Sequence, residues 1–408
     1  MSAKLVKATD AVLLFEIGTE ELPATNLADI FSTVGGSASG GESADSMLLL
    51  KWKEALQNNR IAIEGARVWA TPRRLIFYVE KAALQQQKKD QLTKLMSKPE
   101  AYGTDGQPTE KFLTILKHRN VDISETIVSD LNGKEFVFIK KAESVQKTSL
   151  VLPELLEALV KSLAFPKNMK WDDSGVFFPR PIRHTLCFLG DQAIKFKIGR
   201  TRSDAKVWIF SKAKRQSCAV TDADSYFKVL KKQGVIADPV ERKKVIQSIL
   251  DKMAASFRGE IVEDPFLLNE VNFLVENPQG LSAPFHEEFL KLPFEVLTVS
   301  MARKQRIFGL VDKSGKVMPR FLAIADGVMT EKDKKLICQN YENILHAKLQ
   351  DSLFFFKEDT KLPLDRKRDE LKNLIFLKNA GSMFDKTQRL SALSQSFCKK
   401  IGFDSALT

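Results

Sequence analysis

The stretch that most restricts the fold of this chain is Val12–Ile17, a compact apolar run closed by Gly18. Consecutive apolar residues bounded by a turn residue read as a buried strand. Pro23 then stands where a first helical turn begins, and the pattern predicts helix from Asn26 to Val34. Gly35–Ser46 (GGSASGGESADS) offers nothing to bury and reads as a mobile loop. Met47–Asn58 is helical again. Arg67–Glu80 is strand-like on both sides of Pro72, with alternation over Leu75–Val79. An amphipathic helix is expected over Thr109–Arg119, a strand over Glu135–Lys140, and a helix over Leu152–Phe165 that stops at Pro166.

From Pro166 to Lys212 the chain is rich in aromatic, β-branched and basic residues, consistent with a twisted sheet. Asp238–Phe257 and Asp264–Glu276 read as helices, and Asp312-Lys313-Ser314-Gly315 as a hairpin-type turn. Beyond Glu331 helices are expected over Asn340–Phe356, Asp365–Phe376 and Asp385–Ile401, with Phe354–Phe356 as helix–helix core. At 408 residues the chain is too long for one ordinary core. The expected fold class is α+β and multi-domain, with mixed or antiparallel sheets and packed helices. An N-terminal α+β portion covers 1–150, a second, basic one 151–335, and an incomplete helical domain 336–408.

The chain carries 63 Lys and Arg against 51 Asp and Glu, a net charge of +12. A basic surface attracts phosphates and releases their counterions, so a polyanionic partner is favoured. Cys187, Cys218, Cys338 and Cys398 are far apart, with no CxxC and no His at ligand spacing. That points to neither a zinc site nor a disulfide framework. The apolar run after Lys4 and Lys7 is short and meets Glu16, and no stretch approaches the length of a membrane span. A cytoplasmic protein with no membrane partner is expected.

Several motif fragments fail on spacing. Leu95–Pro99 (LMSKP) looks like the KMSKS loop of class I synthetases but has no accompanying HIGH signature. Gly309 to Gly315-Lys316 has five intervening residues and Val317 where a P-loop needs Ser or Thr. His286-Glu287-Glu288 lacks the second histidine of HExxH. The class II arginine and glycine-rich ATP motifs are absent, and no nucleophile–base arrangement follows from spacing. The expectation is therefore no catalytic residue, no metal and no cofactor in this chain.

Basic clusters remain. Arg73 and Arg74 follow Pro72, which fixes the backbone and would present both guanidiniums from a rigid corner. Between Lys195 and Arg215 lie eight basic residues (Lys195, Lys197, Arg200, Arg202, Lys206, Lys212, Lys214, Arg215) against one acid, Asp204. Phe196, Trp208 and Phe210 are expected to face the core from strands that project these charges outward. Lys167, Lys170, Arg180 and Arg183 lie nearby in sequence, and Arg303, Lys304 and Arg306 form a third cluster. Each is a candidate for RNA contact or for a solvated face. Glu20-Glu21 read either as a carboxylate pair at a strand end or as compensation of a helix dipole, the latter favoured.

Four segments belong together: LLFEIGTEELPA (Leu13–Ala24), TPRRL (Thr71–Leu75), FPKNMKW with PRPIRH (Phe165–His184), and EEFLKLPFEVLTVSM (Glu287–Met301). With Tyr226, Gly234-Val235, Glu241-Arg242-Lys243, Leu267–Glu276 (similar to LLDEVTNLVE), Phe354-Phe355 with Glu358-Asp359, and Gly381 with Asp385-Lys386-Thr387, the chain resembles, in collinear order, the β subunit of bacterial-type heteromeric glycyl-tRNA synthetase. The resemblance implies a tRNA-binding subunit of glycine–tRNA ligase. Its α subunit, separate or fused, binds glycine, ATP and Mg, and the assembly is α2β2 with tRNA(Gly). It also implies similarity to the editing-type domain of phenylalanyl synthetase β subunits and to the body and tail of archaeal CCA-adding enzymes, with an HD-type helical domain beginning near Leu364. Arg73, Arg74, Lys167, Lys170, Arg180, Arg183, Arg200, Arg202, Arg303, Lys304 and Arg306 are the tRNA-binding candidates.

The chain departs from that pattern in places. Thr201-Arg202-Ser203-Asp204-Ala205 stands for TRGHR. Lys304 and Ile307 replace His and Tyr of MKEHQKYF, and Asn340–Leu349 replaces GNERVLRARL, with Lys348 unable to reproduce a bidentate guanidinium. Two other readings stay open at this point: a non-ligase relative that binds structured RNA, and a scaffold for the α subunit.

Overall fold

A computed structural model of the chain describes residues 9–25, 27, 46–88, 90–103, 105–131, 133–142, 144–211 and 214–403. The chain divides into two compact units, each built from non-consecutive segments, where the sequence suggests three consecutive blocks. The first comprises Met1–Ile249, Asp264–Gly280 and Ile324–Met329; the second comprises Leu250–Glu263, Leu281–Ala323 and Thr330–Thr408.

The first unit is organised by β1 (Asp10–Thr19), the strand read from the Val12–Ile17 run. Ala24, Thr25 and Leu27 are helical; the rest of the helix expected to Val34, and the loop from Gly35 to Asp45, lie outside the described residues. After α1 (Met47–Asn58), β2 (Ile63–Thr71) and β3 (Arg74–Ala83) form a hairpin whose two-residue loop is Pro72-Arg73. A three-stranded antiparallel sheet follows, with β4 (Asp90–Ser97), β5 (Thr126–Leu131) and β6 (Lys134–Ala142) in the order β4-β6-β5. It carries the short α2 (Lys98–Ala101) and α3 (Glu110–Arg119) on a small core of Met96, Ala101, Phe112, Leu116 and Val137. The LMSKP stretch has a local explanation: Ser97 closes a capping box with Glu100 at the start of α2.

The next strand to enter the main sheet comes from far along the chain. After α4 (Thr148–Ser162) and the short pair β7 (Met169–Lys170) and β8 (Phe177–Phe178), β9 (Ile182–Leu189) pairs antiparallel with β1. With β10 (Gln192–Ala193) it completes a five-stranded sheet in the order β10-β9-β1-β3-β2. This pairing is why the chain does not part near residue 150. The short pair β11 (Lys197–Ile198) and β12 (Thr201–Arg202), then the hairpin β13 (Lys206–Ser211) and β14 (Lys214–Ala219), lead into α5 (Ala223–Lys232) and α6 (Pro239–Ser256). Asp264 caps α7 (Pro265–Asn272), which ends before the expected Glu276.

Side chains alternate across a strand, so a central strand covered on both faces is apolar at every position. In β1 the alternation sorts cleanly. Leu13, Phe15 and Ile17 join the core formed with Trp52 of α1 and Leu152, Leu156 and Leu159 of α4. Leu14 packs instead with Ile76, Leu186, Phe188, Val207, Ile209 and Tyr226. Glu16 is on that second side and is fully buried, so the one charge in the run requires partners inside the protein.

The second unit holds most of a four-stranded sheet in the order β15-β17-β18-β16: β15 (Glu260–Ile261), β16 (Pro278–Pro284), β17 (Phe308–Val311) and β18 (Val317–Asp326). The Asp312–Gly315 turn joins β17 to β18, with Asp312 Oδ1 accepting from the backbone N–H of Ser314 and Lys316. Two helical segments, α8 (Phe294–Val299) and a π-type turn over Ser300–Gln305, precede the long α9 (Glu331–Thr360). On α9 the buried stripe is Leu345, Leu349 and Leu353 at four-residue intervals, whereas Phe354 and Phe355 are 57% and 62% exposed. The expected Phe core is therefore corrected: three adjacent residues at about 100° per residue cannot share one helix face. The end of the chain is not all-helical either. After α10 (Leu364–Glu370) come the short strands β19 (Ile375–Leu377) and β20 (Gly381–Ser382), then α11 (Met383–Ile401). The expected helix to Phe376 is thus cut short, and Gly381 takes φ 78° at the hairpin.

Candidate functional site

Glu16 finds its partners at the end of the β2–β3 hairpin and on β9. His184 Nε2 donates to Glu16 Oε1 at 2.7 Å, and Arg74 Nη1 approaches the same oxygen at 3.4 Å. A carboxylate only accepts, so Nε2 carries the proton and a neutral His184 has Nδ1 as an acceptor. Nδ1 is buried and unpartnered, as is Glu16 Oε2. The imidazole sits over Gly18 so closely that an added Cβ there would lie 1.8 Å from its Cε1. Tyr226 is buried beside Glu16 and Arg74, its hydroxyl lacking a partner at hydrogen-bond distance.

Arg74 is 1% exposed and is shared further. Its Nε reaches Glu276 Oε2 at 3.3 Å, and its Nη2 donates to the Trp208 carbonyl of β13 at 2.9 Å. Thr71 donates to the same Glu276 oxygen at 2.8 Å. Burial opposes the charge of Glu16, but Arg74 and then His184 outweigh it and hold the carboxyl below its ordinary range. Glu276 is likewise held low against burial by Arg74 and Arg73. Arg74, facing two carboxylates, is held more firmly protonated despite its burial.

Arg73 pairs with Asp326 (Nη1 to Oδ2, 2.5 Å), Glu21 (Nη2 to Oε1, 2.7 Å) and, more loosely, Glu276 (3.5 Å). Its guanidinium lies 4.8 Å from the centre of the Phe210 ring. Asp326 in turn accepts from the backbone N–H groups of Glu276 and Asn277 through Oδ1. The corner at Pro72 thus turns both guanidiniums onto carboxylates, which corrects the expectation that it presents them outward. Glu20 and Glu21 are explained the same way: Glu20 pairs with Arg183 at 2.6 Å and Glu21 with Arg73, in place of a helix dipole. A second buried arginine, Arg242, donates to the carbonyls of Asn272, Ile236 and Ala70. Burial pushes it down to about 10.

Above this network lies a cleft of about 390 Å³ lined by Thr19, Glu20, Glu21, Arg73, Arg74, Arg180, His184, Trp208, Ile209, Phe210 and Arg215. On β13 the residues facing the core are Val207 and Ile209, 0% and 2% exposed. Trp208 and Phe210 occupy the alternate positions and meet the cleft, so the expected core-facing placement holds for buried Phe196 and is corrected for these two. Arg215 pairs in register with Phe210, and its guanidinium lies 5.6 Å from the Trp208 ring centre.

The other candidates distribute as follows. Arg183 and Arg200 line a smaller cleft of about 230 Å³, where Arg200 pairs with Asp173. Lys167 and Lys170 are exposed near β7, and Arg202 is exposed on β12. Lys206 pairs with Asp204, and Lys212 lies outside the described residues. In the second unit Arg303 and Lys304 are exposed on the π-type turn, and Arg306 closes it in the left-handed region at φ 52°. Among the described residues no group of three or more His, Cys, Asp or Glu side chains is placed to hold a metal, and no helix is long and apolar enough to cross a membrane.

The residues missed from sequence are Glu16, His184, Glu276 and Asp326. Glu16 carries a signal, a charge inside an apolar run; His184 lies 168 residues from Glu16, and Glu276 and Asp326 lie 202 and 253 residues from Arg74 and Arg73, and they give none. The described arrangement defines an arginine–carboxylate core supporting a mixed aromatic and basic cleft.

Comparison with known families places the chain. A family model described as glycyl-tRNA synthetase beta subunit matches residues 13–407, and the chain belongs to that family. Among similar curated proteins are the glycine–tRNA ligase beta subunits of Desulforudis audaxviator and Bacillus subtilis. The first is 33% identical over 97% of this chain and 55% of its own length. The second is 33% identical over 96% and 55%. That of Moorella thermoacetica is 32% identical over 94% and 53%. The chain therefore spans about half the length of the curated relatives it matches.

Proposed function

We propose that this chain is the tRNA-engaging part of a glycine–tRNA ligase β subunit, acting in the cytoplasm in the reaction of ATP, glycine and tRNA(Gly) to glycyl-tRNA, AMP and diphosphate. An α subunit, separate or fused, binds ATP, Mg and glycine and performs activation, in an α2β2 assembly. This chain contributes position: it fixes the register of the nucleic acid through phosphate contacts while the partner carries the chemistry. The observation that carries the reading is family membership over almost the whole chain. The exposed cations Lys167, Lys170, Arg202 and Lys304 supply phosphate contacts in it.

The pairing of Arg73, Arg74, Arg183 and Arg200 with carboxylates favours a second reading, a scaffold that stabilises the α subunit without touching RNA. The deciding experiment is glycine charging of tRNA by a matched α subunit with and without this chain, beside direct tRNA binding at low ionic strength. Charging that needs the chain, with salt-dependent tRNA binding, supports the tRNA-engaging reading. Charging that needs the chain while no tRNA binds to it selects the scaffold. Binding without any effect on charging identifies a non-ligase RNA-binding relative.

A further inference from the structure

The geometry points to the cleft at Trp208 and Phe210 as a site for one unpaired nucleotide, its base against the indole and phenyl faces and its phosphate at Arg180 and Arg215. This deepens the tRNA-engaging reading and rests on it.

Four observations converge. Trp208 and Phe210 stand two residues apart on the same face of β13, and Phe210 is 45% exposed although the adjacent Val207 and Ile209 are buried. An aromatic pair on one strand face is a platform on which a base stacks, whatever its identity. The cleft volume of about 390 Å³ lies within the range of small-ligand sites. Arg180 and Arg215 line it and, among the described residues, form no ion pair with a carboxylate at contact distance, Arg215 feeling only the field of Glu20. This separates them from Arg73 and Arg74, whose charges are already matched.

The fourth observation concerns selectivity. Glu20 and Glu21 share the cleft with these arginines. Paired with Arg183 and Arg73, these carboxylates offer phosphate no net attraction, yet their remaining lone pairs accept hydrogen bonds from the amino groups of a base. His184 adds a buried ring nitrogen, Nδ1, that lacks a partner. The base of a paired nucleotide is stacked inside its helix and cannot reach an aromatic face, so the cleft takes a nucleotide from a single-stranded end, a loop or a bulge. A free mononucleotide presents the same base and phosphate, and the test separates the two sources.

The test uses the full chain and three probes: a short RNA hairpin with a blunt end, the same hairpin with a single-stranded 3′ extension, and AMP. Binding is followed by anisotropy of labelled RNA and by tryptophan fluorescence. The expected result is tighter binding of the extended hairpin than of the blunt one, with quenching of the Trp208 emission. Trp208→Ala and, separately, Phe210→Ala abolish that difference, each weakening the extended hairpin by about fivefold or more; Trp208→Phe restores part of it. Arg180→Ala with Arg215→Ala lowers the salt slope by roughly 1.4 for a single strand.

Equal binding of blunt and extended hairpins, unchanged by the Trp208 and Phe210 variants, overturns the cleft proposal and leaves the tRNA-engaging reading intact. Binding of neither hairpin overturns both. Saturable binding of AMP that needs Trp208, with no gain from the extension, assigns the cleft to a free mononucleotide and overturns its assignment to RNA.

Discussion

The imidazole of His184 occupies the space that a side chain at position 18 would fill: a Cβ on Gly18 would lie 1.8 Å from Cε1 and 2.0 Å from Nε2. Gly18 does not have a positive φ, so the requirement is for room and not for backbone freedom. Gly18→Ala is expected to destabilise the first unit by about 1–3 kcal/mol through overpacking. In a His184→Ala background the same change is expected to cost markedly less, because the colliding ring is gone. Urea unfolding of the four proteins in that cycle checks it, and equal costs in both backgrounds refute the relationship.

Arg74 joins Glu16 on β1, Glu276 after α7 and the Trp208 carbonyl on β13. Its removal leaves buried Glu16 with His184 alone and buried Glu276 with only the looser contact to Arg73. Arg74→Ala is expected to cost about 3–5 kcal/mol. Arg74→Lys is expected to recover little, since a single ammonium does not reproduce the planar fork that reaches three partners. Denaturant midpoints measured at neutral pH decide the point.

The same carboxylates make acid the weak side of the protein. Glu16 and Glu276 are held below the ordinary value of 4.5 when folded. Between that value and their folded values the unfolded chain binds more protons than the native one, so stability falls as pH falls. Their contribution is complete above about 4.5 and is lost progressively as pH drops through the depressed native values. Comparing the native protein with Glu276→Gln in unfolding experiments from neutral pH into that acid range should show a shallower decline for the variant. Parallel declines would rule this network out as the source.

Lys167, Lys170 and Arg202 are exposed, and of the three Lys170 feels a neighbouring carboxylate, Asp172. If they contact phosphates, replacing each by Ala should lower the slope of log affinity for tRNA against log salt by roughly 0.9 where the contact is to duplex. Folding should be unaffected. A slope identical to that of the parent protein for all three variants removes this face from the interface.

On α9 the exposed Phe355 and the buried Leu349 are expected to behave oppositely. Leu349→Ala should cost about 2–5 kcal/mol by opening a cavity, and Phe355→Ala should stay within about 0.5 kcal/mol. Thermal unfolding of the two variants is the measurement; a large loss for Phe355→Ala would place that ring in a core.

What could be read from sequence was local. The strand over Val12–Ile17, the strands on both sides of Pro72, the Asp312 turn and the helix starts at Thr109 and Asp264 each depend on residues a few positions apart. The partners of Glu16 were not legible, because His184 and Glu276 reach it only once β9 and the segment after α7 have been placed. The cleft wall was misread for a different reason. Val207-Trp208-Ile209-Phe210 is apolar throughout, so its alternation has a period and no phase, and only the packing of Val207 and Ile209 shows which side is inward. Arg73 and Arg74 looked alike in sequence; both reach Glu276, but Arg74 alone is fully buried, beside Glu16, while Arg73 stays partly exposed between Glu21 and Asp326.

Asp326 anchors Arg73 across 253 positions of chain. A nascent polypeptide leaving the ribosome exposes Pro72 long before Asp326 exists outside the exit tunnel. The first unit therefore waits, partly assembled, while those 253 positions are made, with Glu276 and Asp326 among its last parts to arrive. Chaperone dependence during translation, more than final stability, is where weakening this clasp would be felt first.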